Sequence, residues 1–433
     1  MKAIGILAIP PGIFRRAMIL LSSICLASAS LASSGSSITL KQALQLTLKE
    51  NTQLKRYPLA IRAAEAMLIQ AELTPNPTIG VEVENAFGSG DYQGFDAAEI
   101  NLVYSQQIER GGKQQQRLQF ANAETQRMQK QYLISRLDIL AETSRRYYQC
   151  LYIQERIGLI TQQIQSEKSS LKIINQRAKA GAVGEADVSK MAVRLTRSEL
   201  TKRQLEGELK LASLRLAAMW MSSSPLNVIS GNLRELPALP TLEDITEAVE
   251  QLPRMQYQYA LQRLSVSRLN LARSMGESDI TWGIGIRQHQ RTSDQSVSLS
   301  LSMPLAYTNP NKGSIEAAQI QVEQSALDSD SQKLQLSLSL IEIQQRLSFL
   351  KQQLASLQNQ LRPKAIQLLK ETEKGFEKGR YSVLQWIDAQ SELFSIEESA
   401  NQIRWQIHIQ FLELERITGR SMSAKTISMA GNK

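Results

Sequence analysis

The sequence predicts a mainly α-helical protein with a small β part, built as two tandem repeats that each hold a helix, two strands and a long coiled-coil hairpin. Three observations predict it. The chain matches itself at an offset of about 200 residues. Four segments alternate apolar and polar residues with period two. Long stretches near positions 113–178 and 313–378 place apolar residues at alternating steps of three and four. Composition agrees: 42% of the 433 residues are hydrophobic but only 5% are aromatic, with two cysteines, which excludes a disulfide scaffold and a disordered chain.

Residues 1–32 read as a secretory signal peptide. Arg15-Arg16 precede an apolar run from Ala17 to Leu26 and small residues ending at Ala29 or Ala32. The run is shorter than the roughly 20 residues a spanning helix needs, and serines dilute it. With the leader gone, Cys150 is the single cysteine, so no intrachain disulfide can form. The net charge of +9 falls to +6 when Lys2, Arg15 and Arg16 leave, too mild an excess to argue for nucleic acid.

The two repeats span 33–222 and 241–420, joined by a linker at 223–240 that carries Pro225, Gly231, Pro237 and Pro240, and followed by a tail at 421–433. Three anchors set the alignment: Thr39-Leu40 with Thr241-Leu242, Gly112-Lys113 with Lys312-Gly313, and Gly181 with Gly379. Each repeat opens with an amphipathic helix, Leu40 to Leu73 and Leu242 to Met275. Strands follow at about 78–86 and 98–108, then at about 279–289 and 295–304. In the last of these Val297, Leu299, Leu301 and Met303 alternate with serines. Helices over about 113–178 and 313–378 would each be about 100 Å long at 1.5 Å per residue. Leu340, Ile343, Leu347, Leu350, Leu354, Leu357 and Leu361 make a heptad seam, as do Ile153, Ile157, Ile160 and Ile164. Glycines at 181, 184 and 379 break the helices, and partners return over about 185–221 and 382–418.

Four two-faced strands pose the question of where the apolar face goes. A soluble sheet packed on helices is one answer. The export signal, strands near the length that crosses a bilayer at a tilt, and aromatics at Phe87, Tyr92, Phe95, Tyr104 and Trp282 favour a membrane barrel with a polar lumen. Four strands cannot close a barrel. Two chains would supply eight, whose interior side chains fill, and three would supply twelve and leave a pore, so a conducting assembly needs at least a homotrimer.

At several places the residues resemble the TolC-type outer-membrane efflux channels, and among them the heavy-metal branch of CzcC- and CusC-like proteins. The resemblance covers about Ile38 to Arg420. It rests on Pro75-Asn76-Pro77-Thr78 leading into Glu82-Val83-Glu84-Asn85, and on Ser105 to Lys113, similar to the branch pattern SQPIELGGKR with Gln107 and Arg110 as departures. In the second half it rests on Met303-Pro304-Leu305, Asn309 to Gly313, Gly379 to Leu384 and Ile387 to Gln390, while Tyr307, Thr308 and Pro310 depart from the usual pattern.

The resemblance implies a trimer in the outer membrane of a Gram-negative bacterium, its 12-stranded barrel continuous with a periplasmic α-helical barrel. It implies docking onto a periplasmic membrane-fusion adaptor and an inner-membrane proton-driven pump of the RND class. Asp187 and Asp388, six and nine residues past the tip glycines, match the offsets of acids that constrict the periplasmic mouth in that family. Gly181, Gly184, Gly379 and Arg380 become the candidates for hairpin-tip docking, and Glu82, Glu84, Glu99 and Arg287 for the lumen. Cation export is the implied function. Multidrug export, type I secretion and, in a different class, a periplasmic coiled-coil scaffold are the alternatives.

Nothing in the residues points to catalysis or a cofactor. No GxxxxGK[ST] occurs, so energy would come from the pump. Ser169 to Lys172 has an S-x-x-K spacing without companion motifs, and Gly88-Ser89-Gly90 with Gly94 reads as a turn between strands. His289, His408 and Cys150 lie in different elements, so no metal site is expected and the choice of metal would fall to the pump and adaptor.

Overall fold

The computed structural model describes residues 37–226, 229–238, 249–305 and 307–420. The leader, the Thr241 to Ile245 anchor, part of the linker and the tail lie outside the described residues. The first repeat consists of α1 (Leu40–Glu50), α2 (Thr52–Glu72), β1 (Thr78–Glu84), β2 (Glu99–Ile108), α3 (Lys113–Lys179) and α4 (Glu185–Ala217). The second consists of α5 (Pro253–Ser274), β3 (Ile280–His289), β4 (Gln295–Ser302), α6 (Lys312–Ser356), α7 (Arg362–Glu377) and α8 (Val383–Thr418).

Two helices expected to be continuous are broken. The Leu40 to Leu73 helix stops at Glu50, because Asn51 adopts an extended conformation and its side chain accepts from the N–H groups of Gln53 and Leu54, capping a new helix. In the second repeat Leu252 is extended ahead of α5, without a side-chain cap, and Pro253 stands in the first turn, where its missing N–H costs nothing. The 313–378 helix is interrupted by a π turn at Leu357–Leu361. Pro363 follows it in the first turn of α7 and cannot donate to the preceding turn, so the extra residue absorbs what would otherwise be a kink. The heptad seam ends with it: Leu340, Leu347 and Leu354 are buried, whereas Leu361 is 46% exposed.

All four strands join one antiparallel sheet in the order β1-β2-β3-β4, the two repeats meeting along β2 and β3. The register puts Ile79, Tyr104, Ile284 and Leu299 in one row and Val81, Leu102, Ile286 and Val297 in the next. Among the described residues nothing covers this face; Leu299 and Leu301 are 80% and 77% exposed.

The helices bury a core in each repeat. In the second, Met255 of α5, Leu336 to Leu354 of α6 and Ile403 to Ile417 of α8 pack together. In the first, Leu54, Tyr147, Cys150, Leu216 and Trp220 do so with Ile229 and Leu233 of the connecting segment. That segment is strapped down: Ile229 forms a parallel bridge with Ile38, and both its backbone groups bond the Gln154 amide. Among the described residues no helix is long and apolar enough to cross a membrane.

Candidate functional site: sheet lining, junction and hairpin tips

The polar face of the sheet carries the charges expected of a lumen. Glu82 pairs in register with Asn101, and Asn101 with Arg287. Arg287 Nη1 lies 2.9 Å from Glu99 and 3.3 Å from Glu84, and His289 Nδ1 lies 3.5 Å from Glu99. Asn85, held at positive φ, donates a further bond to Glu99 at 3.1 Å. The expected acidic lining is therefore partly neutralised: Glu84 and Glu99 share one guanidinium, and Glu82 alone stays exposed with no ion-pair partner among the described residues.

Where sheet meets helices, the Gly111-Gly112-Lys113 motif acquires a physical reason. Both glycines have positive φ, and a Cβ on Gly111 would stand 2.6 Å from the Glu277 side chain. The turn delivers Lys113 Nζ to Asp279 at 2.7 Å, and Asp279 also accepts from the Arg110 N–H and the Gln107 amide. Partial burial pushes the Asp279 carboxyl up, but these donors outweigh it and hold it below the usual aspartate range. Asp279 sits on the β3 side of the junction and Lys113 on the α3 side, so the bond ties the repeats together.

At the other end of the hairpins the tips close alike. Gly181 and Gly379 have φ of +73° and +72°, and each follows a helix whose last carbonyls are satisfied by the next N–H groups. Ala182 N–H bonds Arg177 O, and Gly181 N–H bonds Ala178 O; Arg380 N–H bonds Gly375 O, and Gly379 N–H bonds Phe376 O. Gly184 is extended and caps α4 without a side chain, whereas Ser382 caps α8 in a reciprocal box with Gln385. Asp187 is half-buried in the first turn of α4, and Asp388 is exposed on α8. Neither side chain has a hydrogen-bond or ion-pair partner among the described residues. Gly184 and the Arg380 side chain are exposed.

The two tips pack on each other through Ile174, Met191, Phe376, Val383, Trp386 and Ile387. Arg177 reaches from the first hairpin to the carbonyls of Phe376 and Glu377 at 2.6 and 2.8 Å, and the Phe376 and Trp386 rings stack at 5.0 Å. The sequence reading missed Arg177, although it occupies the position where the second repeat has Gly375, a difference between repeats that marks it.

Cys150 lies on α3, His289 ends β3 and His408 lies on α8. Cys150 is fully buried among apolar side chains, which pushes its thiol up to about 12. His408 is buried on α8, bonded to Leu233 O at 3.1 Å and stacked on Tyr148. Among the described residues no group of three or more His, Cys, Asp or Glu side chains could hold a metal ion.

A sheet apolar on one face and charged on the other, continuous with paired helical hairpins, is the architecture of an efflux-channel subunit. The chain belongs to the outer membrane efflux protein family, whose model matches it over residues 43–220 and again over 243–420, one match per repeat. The cobalt-zinc-cadmium resistance protein CzcC of Cupriavidus metallidurans is 25% identical over 384 residues, which span 88% of this chain and 90% of that protein. The solved structure of CusC, studied for folding and transmembrane channel formation, superposes with a TM-score of 0.73 at 14% identity, covering 88% of this chain and 92% of that one. The outer membrane protein VceC of Vibrio cholerae superposes with a TM-score of 0.71 at 12% identity, covering 88% and 96%.

Proposed function

We propose that this protein is the outer-membrane exit duct of a tripartite efflux system and that its cargo is heavy-metal cations. The observation that carries the duct is the sheet. Its apolar face is exposed in a single chain, its outer strands β1 and β4 are unpaired edges among the described residues, and its other face is lined by Glu82, Glu84, Glu99, Arg287 and serines. Three copies would pair those edges into twelve strands, put the apolar rows against lipid and enclose a polar pore. The same three copies would bring six hairpins together as a tube on the periplasmic side.

The metal cargo is supported by the likeness to CzcC over most of both chains. A passive duct needs an energised partner, so the hairpin tips would meet a periplasmic adaptor and, through it, an inner-membrane proton-driven pump of the RND class. Gly181, Gly184, Gly379 and Arg380 form the docking surface in this reading, and Asp187 and Asp388 the cation-facing mouth.

Deletion of the gene, followed by growth on zinc, cadmium, cobalt, copper, silver and hydrophobic drugs, tests the cargo. Loss of metal tolerance with drug tolerance intact is expected; the reverse pattern would reassign the duct to drugs. Fractionation tests the class, since a chain found free in the periplasm would be a scaffold and not a duct.

A further inference from the structure

A cavity of about 960 Å³ opens between the two repeats, walled by α3, α8, the π turn with the start of α7, and the connecting segment 229–238. Five charged residues line it: Arg234, Arg362, Arg404, Glu155 and Glu397. Arg362 and Glu397 satisfy each other, with Nε 2.5 Å from the carboxylate. The remaining three make no ion pair among the described residues. Arg404 is only 8% exposed, and its guanidinium makes one hydrogen bond, to Asn401 Oδ1 at 2.6 Å, with no ion pair among the described residues. The Arg234 guanidinium has no partner among them either.

A buried cation without a counter-ion is costly, and chains rarely keep one without a use for it. Burial itself, then the nearby Arg234, push the Arg404 pKa below the usual arginine range, and the three arginines outnumber the two carboxylates in the lining. Glu397, already bonded to Arg362, and then Glu155 offset part of this, but neither makes an ion pair with Arg404 or Arg234 among the described residues. The planar fork of an arginine offers paired N–H donors that match the oxygens of phosphate or carboxylate. Asn401 occupies one of the donors of Arg404, which leaves the others for a ligand.

We propose that this cavity binds a small multivalent oxyanion of the phosphate class, held by Arg404 from α8 and Arg234 from the connecting segment. Bound there, the anion bridges α8 to the strap between the repeats and stiffens the junction of the hairpins. The site lies within one chain and depends on neither the barrel nor the metal cargo.

The test uses the full-length exported protein in detergent and phosphate-free buffer, with inorganic phosphate as the probe and chloride at matched ionic strength as the control. Phosphate should raise the thermal midpoint and give a calorimetric binding isotherm, while chloride should do neither. Arg234→Gln should weaken phosphate binding at least about tenfold, by loss of charge-assisted hydrogen bonds. Arg404→Met should abolish the phosphate shift yet melt no lower than wild type without phosphate, because it keeps the volume and removes the unpaired charge. Equal midpoints in phosphate and chloride would overturn the site. So would a phosphate shift that survives Arg404→Met, or an Arg404→Met protein that melts lower in phosphate-free buffer, since the guanidinium would then be neutralised within the chain.

Discussion

Arg177 of the first hairpin holds Phe376 of the second from two sides: Nη1 donates to its carbonyl at 2.6 Å, and the guanidinium carbon lies 4.3 Å from the centre of its ring. The second guanidinium nitrogen donates to the next carbonyl, Glu377 O, at 2.8 Å. These carbonyls end α7, where the helix dipole is negative, so a cation is doubly favoured. The tips of one chain are thus fastened to each other, and any motion of either tip has to move both or break this contact.

Replacing Arg177 by Gln should therefore loosen the tips without unfolding the chain. Two hydrogen bonds from a charged donor and a ring contact, all partly solvated, are worth about 1–3 kcal/mol together. Hydrogen exchange should quicken at the backbone of Val383 to Gln390 while α5 and the sheet keep their protection. Unchanged exchange at the tip would show that Ile174, Met191 and Trp386 hold it alone.

The Lys113 and Asp279 pair should behave as a structural tie between the repeats. Their side chains are 8% and 18% exposed, so solvent screens the pair little. Asp279→Asn should cost about 1–3 kcal/mol at neutral pH. The carboxyl titrates below its unfolded value, so its contribution is complete above the ordinary aspartate pKa of about 4 and is lost as pH falls through the folded value. Thermal melts of wild type and variant should differ by a constant amount from pH 8 to 5 and converge only below about pH 4. A gap that closes between pH 7 and 5 would assign the tie to another group.

The contrast between Lys113 and Asp279 also shows what a sequence can disclose. Lys113 stands out in a glycine-flanked motif, but its partner is an aspartate 166 residues away in a short turn, with nothing local to flag it. Period and spacing exposed the strands and the hairpin seam because those patterns repeat. The break at Asn51 escaped because an Asn within an amphipathic run reads as a surface residue until its cap geometry is seen. The π turn escaped because Leu357 and Leu361 continue the heptad in sequence, while the extra residue ahead of Pro363 shifts the seam and leaves Leu361 exposed. Glu84 and Glu99 were legible as a polar face, but not their shared bond to Arg287, which depends on β2–β3 pairing across the repeats.

His408 should make the folded chain acid-sensitive. Burial pushes its pKa down, only partly opposed by the bond to Leu233 O, so the native state holds it neutral while the unfolded chain protonates it below about pH 6.5. The unfolded state then binds more protons, and stability falls as pH drops below that value. His408→Gln keeps a donor for Leu233 and should flatten the thermal midpoint between pH 7 and 5. An identical pH profile in both proteins would acquit this histidine.

The exposed apolar rows of the sheet should face lipid. Leu301 and Ile284 are 77% and 44% exposed in the single chain; Ile284 sits in the row of Ile79, Tyr104 and Leu299, and Leu301 stands opposite Trp282. Arginine at either position should cost about 2–4 kcal/mol if it meets the bilayer midplane. The Leu301→Arg, Ile284→Arg double variant should accumulate as unassembled monomer in outer-membrane preparations. Normal trimer yield would mean that this face packs on protein or water.

Asp388 should matter more to conductance than Asp187, and their surroundings say why. Asp187 lies half-buried in the first turn of α4, where the positive end of the helix dipole already favours a carboxylate, so part of its charge is spent locally. Asp388 lies beyond the first turn of α8, exposed, beside the buried Trp386, Ile387 and Ala389 that fix its backbone. Its charge has no partner among the described residues, and the proposed mouth would have it face the space that the assembled tips enclose. Three such carboxylates in a ring would attract and hold multivalent cations. In planar bilayers Asp388→Ala should weaken block by a trivalent cation about tenfold or more and raise single-channel conductance, while Asp187→Ala should change both less. Equal block in wild type and Asp388→Ala would place that carboxylate on the outer, solvated side of the tube.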